Sequence, residues 1–438
     1  MNALISNTDK IAGRLNPPSS KNYTTRYLLV AALAEGESTI HYPAVSEDAS
    51  AMVDCLRKFG ATIDEESDDS GGRHLRISGF GRRPRNPGVI DPGNAGAVLR
   101  FLMAVGAMVA GEVRFATEFS HSLGQRPQGD LLQALEQLGV RTESREGKLP
   151  IVVRGGSFRV DDVVRISGAT SSQFLSALLF LSPMIDDDIE IEVVDGLVSK
   201  PLVATTIEVM EKAGIRVEAT HDLMHYKVAG GQSYQPGEYS VNGDYPSAAA
   251  ILAAAAITDS HIVVDRLFED RQGERAVVDV LRHMGVTVEC DGSTVEVKGH
   301  SGLRGIEFDG DKSTDMVLAM LPLAAHAEGE TRIFGIANLR HKECDRIAVP
   351  VHELGRLGVD CAAGEGEIVV RGRPSGYEGG YEVDSYSDHR VAQMLTLMGM
   401  RCRRGLIVKN AETVAKSYPA FFDDLIGLGA NIRQDETA

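Results

Sequence analysis

The chain of 438 residues is too long to fold around one hydrophobic core, so two domains are expected. Hydrophobic residues make up 43% of it and charged residues 24%, which is typical of a globular protein and excludes a mainly disordered or low-complexity chain. The formal net charge of -17 argues against nucleic acid or an anionic membrane as the main partner. An anionic ligand would therefore need basic side chains that are clustered locally.

Cysteine usage and hydropathy indicate the cellular compartment. The chain has five cysteines, an odd number, and their spacing is that of neither a disulfide framework nor a metal site. This pattern favours a reducing compartment and predicts no bound metal. The first ten residues lack the apolar segment of a signal peptide, and the longest apolar run, 316–327, is too short to span a bilayer. We therefore expect a cytoplasmic protein that does not contact membranes.

One pattern recurs along the chain: an amphipathic helical segment, a glycine, and then a strand-like segment. The turn glycines are Gly60, Gly139, Gly214, Gly285, Gly358 and Gly429, spaced by 71 to 79 residues. Glycine readily ends a helix in the left-handed conformation. A more apolar helix, of the kind that is buried on all sides, precedes each one, at 26–34, 97–110, 172–183, 246–257, 315–327 and 390–400. Six coincidental glycine turns would not account for the even spacing.

Strand-like segments follow most of the apolar helices, at 36–42, 111–117, 187–193, 259–265 and 329–335. The chain is thus predicted to contain six copies of an α/β unit of about 73 residues, three in each domain. We expect the chain to cross between domains at 240–244 and the segment before Pro17 to join the last repeats. The predicted domains are 16–241 for the N-terminal one, and 1–15 with 242–438 for the C-terminal one.

Distinctive polar residues stand at the start of each apolar helix. They are Ser20, Lys21, Asn22 and Arg26 at the first, Asn94, Gly96 and Arg100 at the second, Ser171, Ser172 and Gln173 at the third, Asp244 at the fourth, Asp315 at the fifth, and Asp388, His389 and Arg390 at the sixth. A helix N-terminus suits phosphate or carboxylate because its N–H groups are free and its dipole is positive there. Ser, Asn and Asp could serve only as N-caps. Lys and Arg oppose the dipole, so their presence predicts a bound anion.

Further clusters lie in the connections between helices. They are Arg126-Pro127, Ser199-Lys200-Pro201, the stretch 338–346, and Lys416-Ser417-Tyr418-Pro419. The stretch 338–346 contains four basic and two acidic residues, and taken alone it could be a solvated loop. The residues around His341 and His389 lack metal-ligand spacing. The segment 93–96 is neither a dinucleotide fingerprint nor a phosphate-binding loop of the Lys-Ser/Thr type.

Taken in order, these motifs resemble the 5-enolpyruvylshikimate-3-phosphate synthase family of enolpyruvyl transferases, from about residue 11 to 428. The resemblance rests on all of these motifs in order, including Arg340-His341-Lys342-Glu343-Cys344-Asp345-Arg346 and Asp388-His389-Arg390, because any one of them alone would be weak. It implies an α/β fold of two domains, each an inside-out barrel of three βαβαββ units. The buried helices would be parallel, with their N-termini at the interdomain cleft.

The resemblance also implies a monomeric enzyme with two small-molecule substrates and no cofactor. Members of the family act in chorismate and aromatic amino acid biosynthesis and are the target of glyphosate. Shikimate 3-phosphate would be bound by Lys21, Asn22, Arg26, Ser171, Ser172, Gln173, Ser199, Asp315, Asn338 and Lys342. Phosphoenolpyruvate would be bound by Lys21, Asn94, Gly96, Arg126, Gln173, Arg346, Arg390 and Lys416. Asp315 would take the proton of the attacking hydroxyl, and Glu343, with Lys21 or Lys416, would protonate the methylene carbon of phosphoenolpyruvate.

Three departures from the family pattern keep other acceptors open. Asn22 and Leu202 replace the usual Ser and Tyr, and Ala97 replaces the usual Thr. The sister family, UDP-N-acetylglucosamine enolpyruvyl transferase, also carries Lys-Asn at the first motif, but it needs a Cys or Asp in the loop that here spans 118–125 and has neither. A transferase acting on a shikimate-like acceptor and a non-catalytic anion-binding protein of the same fold are the remaining alternatives. The latter would not need Asp315 or Glu343.

Overall fold

The computed structural model describes residues 1–67, 72–268, 270–300 and 302–435. The chain divides into two compact units: an N-terminal unit, Ser19–Val241, and a C-terminal unit that combines Met1–Pro18 with Asn242–Ala438. The change between Val241 and Asn242 falls inside the segment 240–244, where the sequence predicts a crossing. Residues 16–18 lie in the C-terminal unit, whereas the sequence-based limits assign them to the N-terminal domain.

Buried and outer α-helices alternate along the described chain. They are α1 (Lys21–Leu33), α2 (Glu47–Phe59), α3 (Gly96–Met108), α4 (Gly129–Gln137), α5 (Ser172–Leu181), α6 (Lys200–Lys212), α7 (Tyr245–Ile257), α8 (Val277–His283), α9 (Val317–His326), α10 (Ala348–Arg356), α11 (His389–Arg401) and α12 (Phe421–Gly427). The odd-numbered helices are buried on nearly all sides, and the even-numbered helices bury one face. Among these helices, none combines the length and apolar character needed to span a bilayer.

Two helix boundaries differ from the prediction and affect the site. Helix α1 begins at Lys21 and not at Arg26, because Ser20 caps it by accepting a hydrogen bond from a backbone N–H of the first turn. Lys21, Asn22 and Arg26 therefore all lie within the helix. Helix α9 begins at Val317, two residues later than predicted, so Asp315 lies between this helix and a short 3-10 helix, Asp311–Ser313.

The strands are short. They are β1 (Asn2–Ile5), β2 (Ala12–Leu15), β3 (Glu37–His41), β4 (Thr62–Ser67), β5 (Arg73–Ser78), β6 (Val89–Ile90), β7 (Gly111–Phe115), β8 (Arg141–Arg145), β9 (Lys148–Gly155), β10 (Val164–Gly168), β11 (Ile189–Leu197), β12 (Glu218–Ala219), β13 (His225–Val228), β14 (Glu238–Ser240), β15 (His261–Val264), β16 (Val286–Asp291), β17 (Thr294–His300), β18 (Glu307–Asp309), β19 (Glu330–Phe334), β20 (Asp360–Ala363), β21 (Glu367–Arg371), β22 (Tyr381–Asp384), β23 (Leu406–Lys409) and β24 (Ile432–Asp435). Every strand expected from sequence after an apolar helix is present.

The described strands form six four-stranded sheets with one common pattern. In each sheet a parallel pair is followed by two antiparallel pairings, as in β6-β7-β9-β8, β10-β11-β13-β12 and β18-β19-β21-β20. The remaining sheets, β14-β3-β5-β4, β2-β15-β17-β16 and β22-β23-β1-β24, follow the same pattern with one strand from a distant part of the chain. The predicted sixfold repeat is therefore present.

The distant strands explain why the chain passes twice between the units. Strand β2 precedes α1 but pairs with β15 in the C-terminal unit, whereas β14 precedes α7 but pairs with β3 in the N-terminal unit. Each unit thus contains the strand that leads to the first helix of the other. Strand β1 lies between β23 and β24, which confirms that the N-terminal segment joins the last repeats.

The six turn glycines behave as the sequence predicts. All have positive φ angles, between 82° and 112°, at the ends of the outer helices. A side chain at such a position brings Cβ too close to the backbone and costs roughly 1–2 kcal/mol. These glycines let each outer helix end sharply and lead into the next strand.

Two glycines near the end of α10 provide a matched test. Gly358 has a φ of 83°, Gly355 lies inside the helix, and a Cβ at either position would meet nothing within 4 Å. We expect Gly358→Ala to lower the free energy of unfolding by about 1 kcal/mol or more. Gly355→Ala should raise it by up to about 1 kcal/mol, because alanine has the higher helix propensity. Chemical denaturation would measure both, and changes of the same sign would contradict the conformational argument.

Candidate active site

In the N-terminal unit, Arg100 joins the starts of helices α3 and α5. Its guanidinium is buried; Nη1 donates to Gln173 Oε1 at 2.7 Å and to Ser171 Oγ at 3.3 Å, and Nε donates to Gln128 Oε1 at 3.0 Å. It also lies over the ring of Phe174, 4.8 Å from the centroid. Arg100 therefore holds two of the predicted ligand-binding side chains in place.

The glycine at the start of α3 makes room for an arginine. A Cβ on Gly96 would lie 2.9 Å from Nη1 of Arg126 and 3.5 Å from Nη1 of Arg100. A side chain there would force the Arg126 guanidinium to move. Nearby, Oδ1 of Asn94 accepts a hydrogen bond from the N–H of Leu123 at 3.3 Å. The structure thus brings Gly96 and Arg126 together, as the sequence predicts.

The predicted phosphate-binding serines follow two neighbouring parallel strands. Strands β10 and β11 pair through Gly168 and Leu197, and the serines come within a few residues after each strand. Ser171 caps α5, its Oγ accepting a hydrogen bond from the N–H of Gln173. Ser199 directly precedes α6 in the left-handed conformation, with φ 52°. Such strain in a residue other than glycine is typical of functional sites, and both helix N-termini suit a phosphate.

Lys21, the first residue of α1, is paired with an outer helix. Its Nζ lies 3.0 Å from Oδ2 of Asp48, in the first turn of α2, and both side chains are mostly buried. Asp48 was not predicted, because an acidic residue in a first turn is expected for electrostatic reasons alone. The pair fixes the position of the Lys21 ammonium group.

Arg26, in α1, makes its hydrogen bonds inside the N-terminal unit. It is 1% exposed, and its guanidinium donates to Thr206 Oγ1 at 2.9 Å and to the carbonyls of Leu202 and Asn22 at 3.1 and 3.0 Å. Burial lowers its pKa to about 10. These contacts make Arg26 a link between α1 and α6.

In the C-terminal unit, Arg346 is surrounded by carboxylates. It is 2% exposed and forms a bidentate pair with Asp388, at 2.8 and 3.2 Å. Nη1 also donates to Asp315 Oδ1 at 3.1 Å, and Nη2 to Glu343 Oε2 at 2.9 Å. Burial alone would lower the Arg346 pKa, but the three carboxylates raise it above its ordinary value. The guanidinium is therefore held charged between Asp315 and Glu343, the two carboxylates that the sequence predicts to be catalytic.

Two lysines extend this arrangement into a network. Nζ of Lys416 donates to Oε1 of Glu343 at 2.6 Å, and Nζ of Lys342 lies 3.6 Å from Oδ1 of Asp315. Cations and carboxylates thus alternate along the path Lys342–Asp315–Arg346–Glu343–Lys416. Five predicted site residues from three separate parts of the sequence meet here, so 338–346 is not a merely solvated loop.

Helix α11 starts beside this network. Asp388, fully buried, caps the helix through the N–H of Arg390 at 2.8 Å. The Arg390 side chain donates to the carbonyl of Pro246 at 2.9 Å, which joins the starts of α11 and α7. Sγ of Cys344 lies 3.5 Å from Asp388, and burial followed by that carboxylate raises the thiol pKa. The thiol is therefore poorly suited to act as a nucleophile.

Asn338 lies in a short 3-10 helix, Ala337–His341, at the start of the stretch 338–346.

Sequence reasoning missed one carboxylate beside the network. Glu274 is 3% exposed, and Oε1 accepts a hydrogen bond from the backbone N–H of Asp315 at 3.4 Å. Burial, followed by the charge of Asp315, raises its pKa to about 8. Glu274 does not lie at the start of an apolar helix, where the sequence predicts functional residues, so no pattern in the sequence indicated it. Among the described residues, no group of three or more His, Cys, Asp or Glu side chains is arranged to hold a metal ion.

The charge of Asp388 should contribute strongly to stability. Asp388→Asn keeps an acceptor for the helix cap but removes the anion that faces buried Arg346. We expect the free energy of unfolding to fall by about 3 kcal/mol, as measured by chemical denaturation. The control is Asp360→Asn, which breaks an exposed ion pair with Arg371 and should change stability by less than about 0.5 kcal/mol. Equal losses in the two variants would contradict the role of burial.

Comparison with known proteins identifies the family. A family model described as EPSP synthase (3-phosphoshikimate 1-carboxyvinyltransferase) matches residues 5–425. The 3-phosphoshikimate 1-carboxyvinyltransferases of Deinococcus radiodurans and Burkholderia pseudomallei are 43% and 34% identical, over 98% of this chain and 95% and 94% of theirs. Among solved structures, EPSP synthase from Acinetobacter baumannii has a TM-score of 0.81 at 24% identity, covering 99% of this chain and 100% of that one. The enolpyruvyl transferase NikO from Streptomyces tendae has a TM-score of 0.79 at 18% identity, covering 99% and 98%. The chain therefore belongs to the EPSP synthase family.

Proposed function

We propose that the protein transfers the enolpyruvyl group of phosphoenolpyruvate to the 5-hydroxyl of shikimate 3-phosphate and releases phosphate. The alternating network from Lys342 to Lys416 is the observation that carries this proposal, because it holds a base, an acid and three cations together. The extended similarity to relatives named 3-phosphoshikimate 1-carboxyvinyltransferase supports the same reaction. We further propose that the protein acts as a monomer in the cytoplasm, and that the N-terminal and C-terminal units are its two enolpyruvyl transferase domains.

Shikimate 3-phosphate is proposed to bind through its phosphate to the serines that precede α5 and α6. Ser171, Ser172 and Ser199 offer hydroxyl groups at helix N-termini, and Lys342 offers a cation. Gln173, Asn338 and Asp315 are proposed to bind the ring hydroxyls and carboxylate. Lys21, Asn22 and Arg26 would complete this set, and Arg26 also donates to the backbone carbonyl of Asn22.

Phosphoenolpyruvate carries a phosphate and a carboxylate and so needs several cations. We propose that Arg126, Arg346 and Arg390, with Lys21 and Lys416, supply them, since the guanidinium geometry suits both anionic groups. The Arg126 guanidinium lies close to the start of α3, where a Cβ on Gly96 would be 2.9 Å from its Nη1. The backbone at Gly96, with Asn94 and Gln173, is proposed to complete the site.

Asp315 is proposed to accept the proton of the 5-hydroxyl. Its pairing with Arg346 and Lys342 stabilises the carboxylate, which keeps it available as a base. As the proton leaves, the hydroxyl oxygen forms a bond to C2 of phosphoenolpyruvate.

Glu343 is proposed to deliver a proton to C3 in the same addition step. Its carboxylate lies between Lys416 and Arg346, which favour the ionised form. Lys416, whose ammonium group lies 2.6 Å from Glu343, can pass a proton to this carboxylate, which then delivers it to C3. The product is a tetrahedral intermediate. Loss of a proton from C3 and of phosphate from C2 then restores the double bond.

Phosphate release with different acceptors tests this proposal. The protein is mixed with phosphoenolpyruvate and, separately, with shikimate 3-phosphate, shikimate or UDP-N-acetylglucosamine. We expect release with shikimate 3-phosphate. Release with another acceptor alone would assign a different transferase, a relevant possibility because Asn22 and Leu202 differ from the usual family residues. Anion binding without release from any acceptor would indicate a non-catalytic protein.

The role of Glu343 predicts a specific mutational effect. Glu343→Gln keeps the size and an acceptor for Lys416 but cannot carry a proton. Turnover should fall by a factor on the order of 100 or more. The control is Asp345→Asn, two residues away, whose carboxylate pairs with Arg340 outside the network; its turnover should stay within about twofold of the wild type. Similar activities for Glu343→Gln and the wild type would refute the assigned role.

A further inference from the structure

Glu274 is built into the support of the proposed base. It lies in a short 3-10 helix, Gly273–Ala276, which packs against the 3-10 helix Asp311–Ser313. The hydroxyl of Ser313 donates to the carbonyl of Gly273 at 2.8 Å, and Oε1 of Glu274 accepts the backbone N–H of Asp315 at 3.4 Å. Two contacts therefore tie this segment to the turn that carries Asp315.

The surroundings of the Glu274 carboxyl disfavour a negative charge. It is 3% exposed, and Oε2 has no hydrogen-bond partner in the part of the chain that the structure describes. Charged or titratable groups on its own segment and on the segments packed against it include Arg275, Asp244, Asp279, Arg282, His283, Asp311, Lys312 and Asp315, and Arg390 lies 4.0 Å from Asp244. Burial, then the charges of Asp315 and Asp244, raise the pKa of Glu274 to about 8. Burial and these two charges therefore favour the neutral acid over the carboxylate.

A neutral acid suits this position better than a carboxylate. The Asp315 carboxylate is already paired with two cations, Arg346 and Lys342. A second buried anion in contact with its backbone would compete for the same positive charge and raise the proton affinity of Asp315. An uncharged carboxyl can still accept the N–H of Asp315 without this repulsion.

We propose that Glu274 is a positioning residue that acts as a neutral carboxylic acid, holding the turn of Asp315 while leaving the negative charge to Asp315 itself. This inference rests on the proposed function, since it assigns Asp315 as the base. It adds a group from outside the family motifs to the machinery of the same site.

Three variants separate the contributions of shape and charge. Glu274→Ala removes the acceptor for the Asp315 N–H, and we expect kcat at pH 7 to fall by a factor on the order of 10 to 100. Glu274→Gln keeps the acceptor and cannot ionise, so it should recover most of that loss. Glu307→Gln, which removes an exposed carboxylate paired with Arg332 in the same unit, controls for the change in net charge.

The pH profile of kcat, from pH 6 to 9.5, tests the charge. In the wild type and in Glu307→Gln, ionisation of Glu274 should lower kcat with a midpoint near pH 8. In Glu274→Gln this decrease should be absent. The same decrease in Glu274→Gln, or an activity at pH 7 as low as that of Glu274→Ala, would overturn the proposal.

Thermal unfolding provides a readout that needs no substrate. The folded-state pKa of Glu274 lies above the ordinary value of 4.5, so its favourable contribution is complete below pH 4.5 and is lost as the pH rises through about 8. Glu274→Gln should therefore gain Tm over the wild type at pH 9 and little at pH 4.5. No such gain would overturn the neutral acid. The two proposals can also fail separately. If Glu274→Gln gains Tm at pH 9 but the wild type transfers no enolpyruvyl group, the neutral carboxyl is supported, whereas the proposed function and the positioning role are refuted.

Discussion

Arg346 is the group on which the charged network of the C-terminal unit depends. A buried guanidinium is tolerated only where carboxylates compensate for its lost hydration. Asp388 supplies a bidentate partner at the start of α11, and Asp315 and Glu343 approach from two other segments. The two proposed proton-transfer groups are thus held by the cation that stabilises them. Because Asp315 and Glu343 accept from Nη1 and Nη2 of the same guanidinium, its dimensions limit the distance between the two carboxylates.

The repeat explains why the functional groups collect at helix ends. Helices such as α7 are buried along their whole length, so a charge in the middle of one would have neither water nor a partner. The first turn is different, because its free N–H groups and dipole favour an anion. Each of the six sheets has the same pattern of strands, so each repeat presents its helix start in an equivalent way. The contact of Arg100 with Ser171, and that of Arg390 with Pro246, show neighbouring helix starts meeting in each unit.

The sequence predicts the repeat well because its signals are local. A glycine such as Gly214 needs a positive φ wherever it ends a helix, and a helix as apolar as α5 must be buried. The positions of Arg26 and Glu274 could not be predicted in this way. Arg26 is buried because Thr206, 180 residues later, accepts its Nε–H, and Glu274 matters because Asp315 lies 41 residues away in sequence but beside it in space. Periodicity identifies the buried face of a helix, but it does not identify which polar group from another segment meets it.

Several cations proposed to bind substrate already have a carboxylate partner within their own unit. Lys21 pairs with Asp48, Lys342 with Asp315, and Lys416 with Glu343. In a chain with a net charge of -17, these carboxylates keep the basic side chains oriented and limit their mutual repulsion. An anionic substrate must compete with them, which lowers its affinity but leaves each cation correctly placed. Where the displaced partner is Asp315 or Glu343, the loss of a cation also changes its proton affinity, so that binding of the substrate and readiness for proton transfer become linked.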